Sequence, residues 1–276
     1  MDDVARYYDD NTAWFLRFDR SRSRVIHRPV WAHDVTTAEE AAHHVHARIV
    51  RALGTETPQR LLDLGCGVGA SAFWLHDRLG AKVHGVSISR KQVELAEENA
   101  RTLGKADACT FSCRDFLELG DIGAFDTAIA IESFVHAADP ARFFEEIARV
   151  LPSGGRLFLC DDFLTGPPSP ARTHCIARFS RGWRLRSLMD RGRAVDLAGA
   201  AGFDVAGAEV LTPSLRLVSR SVLGPLRYAG AVLERTAAAL GRPRIALVDN
   251  LVGGTALQQT QHEGWTEYVL LELRRR

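Results

Sequence analysis

The 276-residue chain is 46% hydrophobic and 25% charged, an ordinary globular composition with enough apolar side chain for one large domain or a domain with a cap. A formal net charge of +1 supplies no overall pull toward nucleic acid or a membrane surface. With no run of 18 apolar residues and no charged-apolar-small leader pattern, the expectation is a cytoplasmic protein.

Residues 1–54 are expected to form a helical lid ahead of the core. Tyr8 and Trp14 bring aromatic side chains to it, and Arg17, Arg20, Arg22, Arg24 and Arg28 follow with only Asp19 opposing them and His27 alongside. Arginine outnumbers lysine 32 to 3, so a solvated arm explains this run as readily as guanidinium groups gripping an anionic substrate. Thr36 and Thr37 with Glu39 and Glu40 give a doubled capping box that opens a helix ending near Leu53, with Gly54 as its stop. His43 and His46 stand one turn apart in that helix. No third ligand is spaced near them, so they are expected on a partly exposed helix face.

Leu61, Leu62, Asp63 and Leu64 read as a short buried strand. Gly65, Gly67 and Gly69 then alternate into a helix at 71–80. Strands follow at 81–89, 109–113, 126–131 and 156–161, with helices at 90–103 and 140–150 between them. This alternation over 55–162 predicts an α/β core, a doubly wound and mostly parallel sheet. Residues 163–192 break it: a linker-like turn at 166–170 leads into an arginine-rich helical cap insert holding Arg178, Phe179 and Trp183. The core resumes over 193–276 with a helix at 193–201, a strand at 203–211, a helical insert at 214–262 and a final strand at 265–273. The five cysteines are odd in number and lack paired spacing, so buried thiols are expected, and no metal site.

A strand that turns through glycines into a helix presents free N–H groups to a ligand. The spacing is G-x-G-x-G, which is neither the dinucleotide fingerprint nor a phosphate loop. In this setting it resembles motif I of the class I S-adenosylmethionine-dependent methyltransferases. That resemblance implies a seven-stranded sheet whose last strand is antiparallel, with S-adenosyl-L-methionine on Asp63, Gly65, Gly67 and Gly69. Asp115 and Phe116 would meet the adenine, and Ile131 would close the set. The acid usual at the end of the second strand is missing, so Ser87, Ile88, Ser89 and Gln92 are expected to serve the ribose.

Glu132 and His136, after the fourth strand, resemble a stretch of the sterol and prenyl diphosphate C-methyltransferases. Methylating a carbon–carbon double bond leaves a carbocation, which a carboxylate can stabilise and deprotonate. This implies Glu132 as stabiliser and base with His136 second, acting on an isoprenoid. A helix N-terminal acid is the bland alternative for Glu132. A prenyl diphosphate, bringing Mg2+ with it, would suit an aromatic cleft rimmed by Arg22, Arg24, Arg28 and Arg178, with Tyr8, Trp14, His27, Phe179 and Trp183 as further substrate contacts. O- or N-methylation of a phenolic, polyketide or amine natural product is the alternative, and a histidine serves that equally. The only partner expected is a small molecule, neither nucleic acid nor membrane, with a homodimer left open.

Overall fold

The computed structural model describes residues 3–18, 23–240 and 246–276. Its centre is a seven-stranded sheet ordered β3-β2-β1-β4-β5-β7-β6. The strands are β1 (Arg60–Leu64), β2 (Lys82–Ser87), β3 (Cys109–Cys113), β4 (Thr127–Ile131), β5 (Arg156–Leu164), β6 (Phe203–Val210) and β7 (Thr266–Arg275). The first five pair in parallel, and β7 runs antiparallel to both β5 and β6.

Successive side chains of a strand point to opposite faces, and this chain uses both. Leu61, Ile129 and Phe158 join one apolar cluster, while Leu62, Ala128, Ala130 and Leu157 join the other. Helices α2 (Ala38–Leu53), α3 (Ala70–Leu79) and α4 (Arg90–Thr102) cover the first face through Val45, Ile49, Leu75 and Ala96. Helices α5 (Pro140–Val150) and α7 (Arg191–Ala200) cover the second through Phe143, Phe144, Ile147 and Ala198. The expected capping box is present: Thr37 and Glu40 bond reciprocally at the start of α2.

The remaining helices build a cap. Helix α1 (Asp3–Phe18) packs on α4 and on α9 (Ala246–His262), while α6 (Pro170–Trp183) and α8 (Arg220–Ala239) pack on α9. Cys175 and Phe179 of α6 meet Ala256 and Leu257 of α9 in a third apolar cluster.

Two expectations need correction. Strand β5 runs to Leu164 because β7 pairs with it along its full length, and this carries Asp162 into the sheet. His43 and His46 are buried, since α2 lies across α3: His43 stacks on Trp74 at 5.2 Å and His46 Nε2 sits 2.8 Å from Ser71 Oγ.

Strand order reverses between β1 and β4, and a crevice opens there beyond their carboxyl ends. Gly65 ends β1 at φ 84°, and a Cβ on it would lie 2.5 Å from Ser133 Cβ after β4. Both the left-handed backbone and the close approach require glycine. Gly65→Ala is expected to cost about 1–3 kcal/mol, read as a lower urea midpoint. An unchanged midpoint would mean that the crevice is not packed this tightly.

Candidate active site

The crevice widens into a partly open cleft of about 1420 Å3, counting its mouth. Gly65, Cys66, Gly67 and Val68 form its floor, and Ile26 of the segment after α1 hangs 3.4 Å from where a Gly67 Cβ would be. The Gly65 and Cys66 N–H groups donate to Val86 O at 2.9 and 3.0 Å, tying the turn to β2. Gly69 is not among the lining residues. It caps α3 at φ 86°, and Phe73 and Phe111 fill the space beside it, so its role is to make the turn.

Asp63 borders the floor from β1 and is buried, with Oδ2 unpartnered. Burial alone pushes its carboxyl up to about 7. An orphaned carboxylate oxygen beside a glycine turn fits the ammonium group of S-adenosylmethionine. Ser87, Ile88 and Gln92 line the wall at the end of β2, with Ser87 Oγ donating to Gln92 Oε1 at 3.0 Å. Ser89 faces away, capping α4 through the Gln92 N–H and donating to Asp9 of α1 at 2.5 Å. Asp115 and Phe116 complete that end, the Phe116 ring standing edge-on to Phe143 at 5.3 Å. Ile131 lines the cleft from β4.

Glu132 follows at φ 51°, a left-handed backbone that a glutamate rarely adopts. Its Oε1 accepts from the Arg28 backbone N–H at 3.0 Å and from Arg28 Nε at 2.9 Å. The two Nη atoms of Arg28 reach Asp162 at 3.2 and 2.7 Å, and its guanidinium lies 4.1 Å over the Tyr268 ring. Burial drives the Glu132 carboxyl upward, but Arg28 and His27 outweigh it and hold it below the ordinary carboxylate range. The adjacent Asp161 is raised well above that range, by burial first and then by Asp162. Glu132 is therefore held as a carboxylate in the wall of the cleft, paired with Arg28.

His136 sits in the 3-10 turn Phe134–His136. Its Nδ1 lies 3.3 Å from Arg184 O, and its Nε2 lies 2.9 Å from Tyr8 Oη. A carbonyl oxygen can only accept, so Nδ1 carries the proton and the Nε2 lone pair receives the Tyr8 hydroxyl. Burial holds that phenol well above its ordinary range, so it stays protonated.

The other expected substrate contacts divide. Tyr8, Arg24, His27, Phe179 and Trp183 line the cleft. Arg28 does not border it, because its guanidinium is committed to two carboxylates. Arg178 pairs with Glu234 at 3.0 Å outside the cleft. Arg22 and the Trp14 side chain lie outside the described residues. Arginines 181, 184 and 191 face Glu234, Asp249 and Glu267, while Arg186, which borders the cleft, pairs with Asp3. Tyr7, Val135, Arg186 and Asp161 line the cleft without any distinctive sequence spacing to announce them. Among the described residues no group of three or more His, Cys, Asp or Glu is placed to hold a metal ion. No described helix is long and apolar enough to cross a membrane.

The family model "Methyltransferase domain" matches residues 62–159. Methyltransferase GfsG of Streptomyces halstedii is 34% identical over 167 residues, covering 60% of each chain. O-methyltransferase rstn1 of Aspergillus nomiae is 37% identical over 171 residues, 61% of this chain and 75% of that one. Geranyl diphosphate 2-C-methyltransferase of Saccharopolyspora erythraea is 36% identical over 174 residues, 62% of this chain and 60% of that one. The chain thus belongs to the S-adenosylmethionine-dependent methyltransferase family. It spans between 53% and 60% of the length of the first two curated relatives it matches. Among solved structures, a geranyl diphosphate methyltransferase in complex with GPP and sinefungin superposes with TM-score 0.75 at 20% identity, covering 99% of this chain and 98% of that one. The 4+2 cyclase SpnF superposes at 0.74 with 23% identity, covering 99% and 95%. At these identities the two structures establish the fold.

Replacing Arg28 with Met would leave Glu132 and Asp162 facing each other without their shared cation. A loss of about 3 kcal/mol at neutral pH is expected, shrinking in acid as the carboxylates protonate. Denaturation midpoints at the two pH values read this, and equal midpoints for both proteins would remove the bridge from the fold's energetics. For Asp63 the folded carboxyl titrates near 7 against an ordinary 3.8, so ionising it costs stability that is lost as pH rises through that window. Asp63→Asn should therefore raise the melting temperature of the ligand-free protein at pH 8 but not at pH 3.5, and should weaken S-adenosylhomocysteine binding in calorimetry. Stabilisation of equal size at both pH values would refute the assignment.

Proposed function

We propose that the cleft binds S-adenosylmethionine and methylates a small molecule, and that the acceptor is a hydroxyl oxygen deprotonated by His136. The observation that carries this is the His136 imidazole, which borders the cleft with the Arg184 carbonyl behind its Nδ1 and the Tyr8 hydroxyl at its Nε2. The turn from Gly65 to Val68, with Asp63, Ser87, Gln92, Asp115, Phe116 and Ile131, would hold the cofactor. When bound, S-adenosylmethionine supplies an electrophilic methyl group and leaves as S-adenosylhomocysteine.

The rest is the protein's work. His136 Nε2 accepts the proton of the substrate hydroxyl as that oxygen becomes the nucleophile, and the Arg184 carbonyl favours the imidazolium that results. The Tyr8 hydroxyl gives up its place to the substrate and can then donate to the acceptor oxygen from the side. Phe179, Trp183 and Val135 supply apolar walls against which a ring or polyketide surface packs. Glu132, kept ionised by Arg28, offers the cleft a carboxylate, and a bound cationic donor would favour the ionised form of Asp63 as well. The same walls and imidazole would serve an amine acceptor.

Methylation of an isoprenoid double bond is the second reading. It is supported by an ionised Glu132 at the end of β4 and by the similarity to a protein named geranyl diphosphate 2-C-methyltransferase. A diphosphate, with or without Mg2+, fits less well, since Arg28 and Arg178 already face carboxylates.

Incubation with radiolabelled S-adenosylmethionine separates the two when phenols and hydroxylated polyketides are offered beside short prenyl diphosphates. In the hydroxyl reading, His136→Ala lowers kcat by about 10²–10⁴-fold while S-adenosylhomocysteine still binds, and Glu132→Gln is the milder change. Label transferred only to prenyl diphosphates, with Glu132→Gln the more damaging, would reverse the assignment.

A further inference from the structure

Helix α8 touches the rest of the molecule along one narrow face. Leu223 and Gly230 are buried, Gly230 beside Leu251 and Val252 of α9, and Glu234 turns inward to Arg178 and Arg181 of α6. Its solvent side carries a regular apolar row. Val222, Leu226, Ala229, Leu233, Thr236 and Leu240 are all exposed and follow one another at spacings of four, three, four, three and four, with a leucine at every seventh position. Leu233 is 47% and Leu240 62% exposed, and Tyr228 and Val232 widen the row on one side. Spacing of 3.5 residues is what a second helix needs in order to lie along the first, each side chain entering a hole opposite.

We propose that α8 pairs antiparallel with the same helix of a second copy of this chain. A twofold axis at the level of Ala231 sets Leu226 against the partner subunit's Thr236, Leu233 against the partner subunit's Ala229 and Leu240 against the partner subunit's Val222. Every leucine then meets a smaller residue, so the layers along the seam have equal width. A parallel pair would put leucine on leucine, which two-stranded coiled coils accept, but alanine on alanine, which leaves a gap that the antiparallel pair fills. Charge favours a like partner too. The charged residues of the helix, Arg220, Arg227, Glu234 and Arg235, stand about 120° or more round the helix from the row, so two copies bring no like charges together. An anionic membrane surface would instead be met by basic residues flanking the apolar face, and none flank this one. The size is adequate: half the surface of a helix about 30 Å long and about 11 Å wide is roughly 500 Å2, and two such faces bury about 1,000 Å2, where specific interfaces begin. Because α8 packs on α9 and Glu234 pairs with the cleft-lining α6, the dimer would also brace the cap.

Sedimentation equilibrium of the full chain at tens of micromolar is the test. A mass near twice 30.4 kDa is expected, falling to 30.4 kDa in Leu226→Glu/Leu233→Glu with the cooperative thermal unfolding transition retained. In a Cys113→Ser background, a short thiol-bridging reagent should join copies through Ala229→Cys, near the axis, and fail with Val222→Cys, far from it. A monomeric wild type overturns the proposal, and a monomer that sediments with phosphatidylglycerol vesicles assigns the row to a membrane surface instead. A dimer untouched by the two glutamates, or equal bridging at both cysteines, overturns it as well.

Discussion

A guanidinium buried among carboxylates has little freedom to be anywhere else. Arg28 reaches Glu132 with its backbone and Nε and Asp162 with both Nη atoms, while its plane rests on Tyr268. Glu132 follows β4, Asp162 lies in β5 and Tyr268 in β7, so one side chain ties the segment after α1 to three neighbouring strands. Without it two carboxylates would share a dry site, which electrostatics forbids at neutral pH. The cleft therefore has its N-terminal wall only while this bridge is made. Residues 24–27 and the floor at Gly65–Val68 are brought face to face by it.

The walls then divide the chemistry. On the β1 and β2 side stand Asp63, Ser87 and Gln92, polar groups with capacity for a polar ligand. On the β4 side His136 meets Tyr8, which reaches in from α1. The cap holds the histidine in its tautomer, because the carbonyl behind it belongs to Arg184 at the end of α6. Arg184 is in turn anchored to Asp249 of α9 at 2.6 Å. Core and cap are thus joined through the imidazole itself. The fold alone does not dictate what such a cleft does, since a 4+2 cyclase and methyltransferases share it. The arrangement of these side chains is what separates the possibilities.

The sequence of this chain determined its sheet, its crevice and the family it belongs to. Alternating apolar residues fix which side chains enter the core, and Gly65 and Gly67 fix where the backbone opens to a ligand, because both signals are local. Ser87, Asp115 and Ile131 line the cleft for the same reason, since they sit at or just past strand ends that converge in this topology, and Gln92 joins them from the first turn of α4. Gly69 and Ser89 belong to the same motifs but turn away, and spacing does not show which residue of a turn faces inward.

Tertiary structure alone decided the roles of the charged residues. Arg28 stands in an arginine run that reads as a substrate rim, and the carboxylates that claim it are more than a hundred positions away. The same long-range pairing joins Glu132 to Arg28, and the cap gives His136 a defined lone pair through Tyr8 and Arg184. Burial and pairing set the protonation of such groups, and both are sums over atoms that the chain brings together only on folding.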